Sequence, residues 1–231
     1  MDILEYLIDF LRELVIIAPI VLIALTFHEF AHGLAAYALG DPTAKYMGRL
    51  SLNPIRHIDP LGALFMVLAH FGWAKPVPID ISNFKHPKRD LALSALAGPL
   101  TNFLLGIIGC FFYAMVFVLL PTWSFIGDSF AYNMVTILHS FVFYFALLNF
   151  TLALFNLLPI PPLDGSKIMY AFLPPKANNW CKMHEREIGL IFFVLLFVDY
   201  RFLNGILTGF LRDGVAYIFS AFTNLFIKIF I

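Results

Sequence analysis

Apolar positions in this chain gather into long runs instead of alternating with polar ones. Residues 14–39, 91–120 and 132–158 are each apolar with few interruptions. A bilayer core about 30 Å thick needs roughly 20 helical residues to cross, so each run predicts a transmembrane helix. Towards the C-terminus, 188–198 is apolar but short and is followed by Asp199 and Arg201, while 214–231 is apolar except for Lys228. That end predicts two crossings, or one crossing and an interfacial helix. The run "LGALFMVLAHFGWA", residues 61–74, is too short to cross upright, and its length suits a re-entrant or tilted segment.

Composition agrees with the runs. Of the 231 residues, 61% are hydrophobic and 13% charged, against about 45–50% and about 25% in soluble domains. This predicts an integral membrane protein. The formal net charge is zero, which gives no footprint for nucleic acid. Cys110 and Cys181 lie far apart with no CxxC, so neither a disulfide framework nor a zinc knuckle is expected. The start, "MDILEYLIDFLREL", is acidic and amphipathic and does not read as a removed signal peptide.

Charge orients the helices. The loop 41–90 carries Lys45, Arg49, Arg56, Lys75, Lys85, Lys88 and Arg89, the loop 121–133 carries no lysine or arginine, and 165–187 carries Lys167, Lys176, Lys182 and Arg186. By the positive-inside tendency the first and third loops are cytoplasmic. The first and third apolar helices then end at the same leaflet.

Within the first run stands "HEFAH", residues 28–32. On a helix His28 and His32 project from one face, roughly 6 Å apart, a spacing that grips one metal ion. Glu29 is rotated about 100° from His28 and reaches a water on that metal without becoming a ligand. HExxH on a helix is accordingly a zinc-peptidase pattern. The bland alternative is a pair of interfacial histidines snorkelling to the surface. Catalytic zinc commonly has three protein ligands and an open position, which leaves one ligand to find. Asp164, in "NLLPIPPLDG" at 156–165, is the best candidate, because the charge-derived topology brings the third helix to the same leaflet. Pro159, Pro161 and Pro162 break regular helix bonding there, and a broken helix can turn a carboxylate inward. Taken alone, the same residues read equally well as an ordinary turn at a helix end.

Together, "HEFAH", "AGPLTN" (97–102) and "NLLPIPPLDG" resemble the site-2 protease family of intramembrane zinc metalloproteases. "GRLSLNPIRHIDPLG" (48–62) and "GWAKPVPI" (72–79) are similar to its minimal bacterial branch, without PDZ or CBS domains. The resemblance covers roughly residues 14–168. It implies one Zn2+ per chain held by His28, His32 and Asp164, with Glu29 as general base and Asn156 assisting at the substrate carbonyl. A neutral amide donor suits a developing oxyanion; the alternative for Asn156 is helix packing. Asn102 is read as a packing residue beside Gly98, which permits close helix approach. The resemblance also suggests a membrane-associated β-hairpin or sheet in the first loop, whose edge could receive an unwound substrate. His57 could lie near the site and His70 could face water or packing, while His86, His139 and His184 read as interfacial or core residues.

The expected fold is an all-α polytopic membrane protein with about five transmembrane helices, a re-entrant segment and a small β-hairpin. It forms one membrane-embedded unit over 1–231, with a core at 14–168 and C-terminal helices at 186–231. The expected function is hydrolysis of peptide bonds in or near transmembrane segments of membrane proteins or signal-peptide remnants. The partners are then the bilayer and transmembrane substrates, with no nucleic acid. The expected place is a bacterial plasma membrane, with the active site towards the cytoplasm. A prenyl-processing type of membrane peptidase ranks lower, since it takes a downstream glutamate as third ligand. Outside the peptidases, the alternatives are a metal transporter or a non-catalytic membrane chaperone. A transporter would want ionisable residues along several helices, and outside the two motifs the spans are nearly bare.

Overall fold

The structure is a computed structural model that describes residues 3–62, 74–121, 124, 127, 129–202, 205 and 208–231. Its helices in chain order are α1 (Ile3–Ala38), α2 (Thr43–Tyr46), α3 (Pro87–Leu119), α4 (Ser129–Asn156), α5 (Asp164–Phe172), α6 (Pro175–Met183), α7 (Glu185–Phe202) and α8 (Gly209–Phe230). Among the described residues, four segments are long and apolar enough to cross a membrane: Glu13–Ala38 of α1, then α3, α4 and α8. Where lipid surrounds the chain, a helix satisfies its own backbone polar groups, so apolar runs of this length fold this way. The 18 residues of α7 carry charge at both ends, from Glu185, Arg186 and Glu187 to Asp199 and Arg201. The expected re-entrant segment falls, except for its ends, outside the described residues, and so does His70.

Helix α3 is the hub and packs against α1, α4, α5 and α8. Its two faces are inverted relative to a water-soluble helix. Leu96, Leu100, Leu104 and Ile108 lie four residues apart and are exposed, while Ser94, Gly98, Asn102, Gly106 and Cys110 follow the same spacing and are buried. Small residues on the inner stripe let helices approach closely. A Cβ at Gly106 would lie 2.6 Å from the Phe150 ring of α4, and one at Gly109 would lie 2.9 Å from the backbone of Ala146. Cys110, Ala146, Phe150 and Val215 form the core where α3, α4 and α8 meet.

In the first loop, 48–58 and 74–80 meet, and among the described residues they form no ladder. Among the described residues the pairing is one isolated antiparallel bridge, Ile58 to Ala74. The Lys75 amide donates to the His57 carbonyl at 2.9 Å, and Arg49 Nη2 donates to the Lys75 carbonyl at 2.7 Å. Pro54, Pro60, Pro76 and Pro78 supply no N–H, which limits how far pairing can propagate. Helix α1 ends at Ala38, and Gly40 just beyond it has a φ of 110°, which favours glycine. Asp41 follows, fully buried. Its carboxylate accepts from Thr43, from the Asp80 amide at 2.8 Å and from Asn83 Nδ2 at 2.8 Å, tying the far end of this loop to α1.

Candidate metal centre

His28 and His32 stand one turn apart on α1 and face α3. The α3 stripe opposite them is Ser94, Gly98 and Asn102. His32 Nδ1 donates to the Ser94 carbonyl at 2.8 Å, and the Ser94 hydroxyl donates back to the His32 carbonyl at 3.1 Å. His28 Nδ1 donates to Asn102 Oδ1 at 2.5 Å. The Asn102 amide is itself oriented, because Nδ2 donates to the Ala24 carbonyl at 3.3 Å and to Asn149 Oδ1 at 2.9 Å. Between these two anchors lies Gly98. A Cβ there would fall 2.4 Å from His32 Nε2 and 2.7 Å from His28 Cε1, so the imidazoles occupy the space a side chain would take.

The third group arrives from beyond the proline break. After α4 ends at Asn156, residues 157–163 turn the chain back, and Asp164 opens α5. Gly165 allows this: a Cβ on it would lie 2.3 Å from the carbonyl oxygens of both Leu157 and Leu158. Asp164 Oδ2 lies 3.1 Å from His28 Nε2 and 3.0 Å from His32 Nε2, and the two Nε2 atoms are 3.0 Å apart. All three side chains are buried. Lys167 Nζ reaches the other oxygen, Oδ1, at 3.0 Å. Burial opposes charge on Asp164, and the positive Lys167 beside it favours the ionised carboxylate.

This donor set fits a divalent metal. With each Nδ1 committed as a donor, a neutral imidazole presents its Nε2 lone pair. Two such lone pairs and a carboxylate oxygen converge on one point, which calls for a cation among them. Ligand atoms around tetrahedral zinc lie about 3.3 Å apart, from bond lengths near 2.0–2.1 Å. The observed separations of 3.0–3.1 Å match that size closely.

The remaining residues singled out in the sequence divide cleanly. Glu29 is half-buried, and its Oε2 accepts the Val77 amide at 2.8 Å. Asn156 Nδ2 donates to Leu152 O of its own helix at 3.0 Å, and among the described residues no hydrogen bond joins it to the histidine–aspartate group. His57 is buried within its loop, with Nε2 on the Ser51 carbonyl at 2.7 Å. His139 donates to the Leu120 carbonyl and His184 to the Trp180 carbonyl. His86 gives its backbone amide to Asp90 at the start of α3. Ser94, Asn149 and the Val77 amide are partners that the sequence did not single out. Two of those contacts use backbone atoms, which carry no residue-type signal.

In a bundle of apolar helices, a buried His, His, Asp set whose histidines belong to an HExxH helix is a donor set that could hold a metal ion. The chain matches Peptidase family M50 over residues 16–198 and belongs to that family, the site-2 proteases. Among curated proteins it is 42% identical to the Bacillus subtilis protein named "Putative zinc metalloprotease YwhC", covering 77% of this chain and 77% of that one. It is 28% identical to the protein named "Putative zinc metalloprotease Rip2" from Mycobacterium tuberculosis, over 77% of this chain. The Rip2 of Mycolicibacterium smegmatis is also 28% identical, over 76% of this chain. The match spans 64% of the length of each Rip2 protein. No solved structure matches the chain.

Proposed function

We propose that this protein is an intramembrane zinc metalloprotease that hydrolyses peptide bonds in or near transmembrane segments of membrane proteins or signal-peptide remnants. The convergence of His28 Nε2, His32 Nε2 and Asp164 Oδ2 carries this reading. Family membership and the names of the relatives support zinc as the metal. When bound there, zinc supplies Lewis-acid polarisation of a carbonyl oxygen and of a water.

The protein groups act around that chemistry. Glu29 accepts the proton of the attacking water while the new C–O bond forms at the scissile carbonyl. It then delivers the proton to the departing amine as the C–N bond breaks. Asn102 and the Ser94 carbonyl hold the two imidazoles by their outer nitrogens, which fixes tautomer and ring plane. Lys167 balances the outer oxygen of Asp164. Asn156 aids at the developing oxyanion once its amide leaves Leu152. His28 lies ten residues before the end of α1, roughly 15 Å along the helix, so water enters from the leaflet at which α1 and α4 both end. The loop charges support a cytoplasmic assignment for that leaflet in a bacterial plasma membrane.

The unit extends over 1–231, with the ribbon around the Ile58–Ala74 bridge as its substrate-receiving edge. Helix α7 is the candidate for a fifth, short crossing, its apolar stretch 188–198 covering about 16 Å between charged ends that lie at the two interfaces. The test uses the purified chain with a panel of membrane-spanning peptides and a parallel zinc assay. The parent cleaves, a chelator stops it, and added zinc restores it. Glu29→Gln keeps its zinc and loses cleavage. Full activity in Glu29→Gln would remove the general-base role, and metal flux into liposomes without any cleavage would favour transport.

A further inference from the structure

Pro76, Val77 and Pro78 interrupt the loop with two imino acids around one ordinary residue. Proline has no N–H, so within this tripeptide the Val77 amide is the one available donor, and it is spent on Glu29 Oε2 at 2.8 Å. The segment is held along its length. The Lys75 amide bonds the His57 carbonyl, the Lys75 carbonyl accepts from Arg49, and the Asp80 amide bonds the buried Asp41 carboxylate. The Val77 side chain is buried, with Cγ1 3.2 Å from where a Gly33 Cβ would sit, one turn along α1 from Glu29. A residue before proline is confined to extended backbone, and Lys75 and Val77 each precede one. The segment therefore resists the rotation that would carry the amide away from α1.

We propose that the Pro76–Val77–Pro78 strap is the orienting element of Glu29, and that its single amide positions the carboxylate for proton transfer. The inference rests on Glu29 being the general base. Among the described residues Glu29 Oε1 takes no hydrogen bond, so one oxygen is anchored and the other is free to meet a water. A base is effective when a third group orients it, and misplacing a catalytic group by about 1 Å costs on the order of 100-fold in rate. The flanking prolines give this amide its value: they fix its direction and remove neighbouring donors that could compete for the carboxylate. Val77 is thus a positioning residue acting through its backbone.

Two substitutions separate backbone from side chain. Val77→Pro removes the N–H and keeps extended geometry; Val77→Ala keeps the N–H and removes packing on Gly33. In the zinc-loaded protein Val77→Pro is expected to lower kcat by about 10- to 100-fold, with KM and zinc content close to the parent. Val77→Ala is expected to stay within about threefold, since the amide is what orients the carboxylate. A normal kcat in Val77→Pro, or equal losses in the two variants, would overturn the assignment. Hydrogen–deuterium exchange supplies a readout that needs neither variant to be active. Within 76–78 only residue 77 exchanges, so its protection is read without ambiguity. Glu29→Leu is expected to speed that exchange by roughly tenfold or more, as for loss of a hydrogen bond to a charged acceptor. An unchanged rate would overturn the proposal. If instead Glu29→Gln retains cleavage while Val77 exchange still depends on Glu29, the base reading fails and the strap contact stands.

Discussion

Asn102 Oδ1 accepts the Nδ1 proton of His28 across the α1–α3 interface, 74 residues away in sequence, and both side chains are buried. This contact decides which imidazole nitrogen faces Asp164. Asn102 in turn bonds Asn149 of α4, so three helices share one polar chain. Removing an outer partner of a metal-ligating histidine typically costs 10- to 100-fold in metal affinity. Asn102→Leu is therefore expected to weaken zinc binding by about that factor, and Asn102→Asp, which keeps the acceptor, to weaken it less. Competition with a chromogenic chelator measures both. Equal affinity in parent and Asn102→Leu would leave Asn102 as a packing residue only.

Gly98 lies between the two anchors of the imidazoles, and its missing side chain is the room they occupy. The neighbouring rings are pinned by Asn102 and Ser94 and cannot swing clear without breaking those bonds. Gly98→Ala is expected to leave the chain helical and membrane-inserted but to push the rings out of register, with zinc content and cleavage falling together. Metal analysis alongside circular dichroism separates this from unfolding. Zinc retention in a folded Gly98→Ala protein would show that the rings have more freedom than the contacts imply.

Two of the three proposed ligands, His28 and Asp164, are expected to differ in the effect of their removal. His28→Ala and Asp164→Ala each delete one of three donors, and Asp164→Ala also leaves Lys167 as an unbalanced positive charge beside two imidazoles. Losing one ligand of three lowers zinc occupancy sharply, by 10-fold or more on the scale of ligand-shell perturbations. Asp164→Ala is expected to be the worse of the two. Elemental analysis after dialysis against a weak chelator checks the order, and full occupancy in both variants would remove them as ligands.

How much of this was legible in the sequence follows from what each element is made of. Long apolar runs announce crossing helices, so α1, α3 and α4 match the expected spans to within a few residues. The C-terminal end was harder: α7 is apolar only between its charged ends, whereas α8 begins at Gly209, several residues before the run expected from 214. The meeting of His28, His32 and Asp164 was legible because metal chemistry demands particular residue types at particular spacings, and the proline break pointed to Asp164. Ser94 and Val77 were not readable, since they act through a carbonyl and an amide that every residue owns. Asn102 was taken as packing, and its bond to the Ala24 carbonyl agrees; its bond to His28 depends on a helix pairing that one sequence does not reveal. The strand-like segments of the first loop were expected to pair, and their prolines limit the described pairing to a single bridge.

Asp41 offers a test of how the loop is fixed to α1, because its contribution depends on pH in a defined direction. Burial alone would raise its pKa, but hydrogen bonds from Thr43, Asn83 and the Asp80 amide outweigh burial and hold the carboxyl below its ordinary range. A carboxyl of depressed folded pKa adds stability that is fully present above the unfolded value of about 3.9 and is lost as pH falls through the lower, folded value. Hydrogen bonds to a charged acceptor are each worth about 1.5–3 kcal/mol. Asp41→Asn cannot ionise and is expected to lose on the order of 2 kcal/mol at neutral pH. Thermal unfolding of parent and variant in the same detergent should then show a constant gap from about pH 6 to pH 8, closing below about pH 4 as Asp41 protonates in the parent. Other carboxyls titrate alike in both proteins and cancel in the difference. A gap that persists unchanged into acid would mean that side-chain shape, not the ionised carboxylate, holds the loop in place.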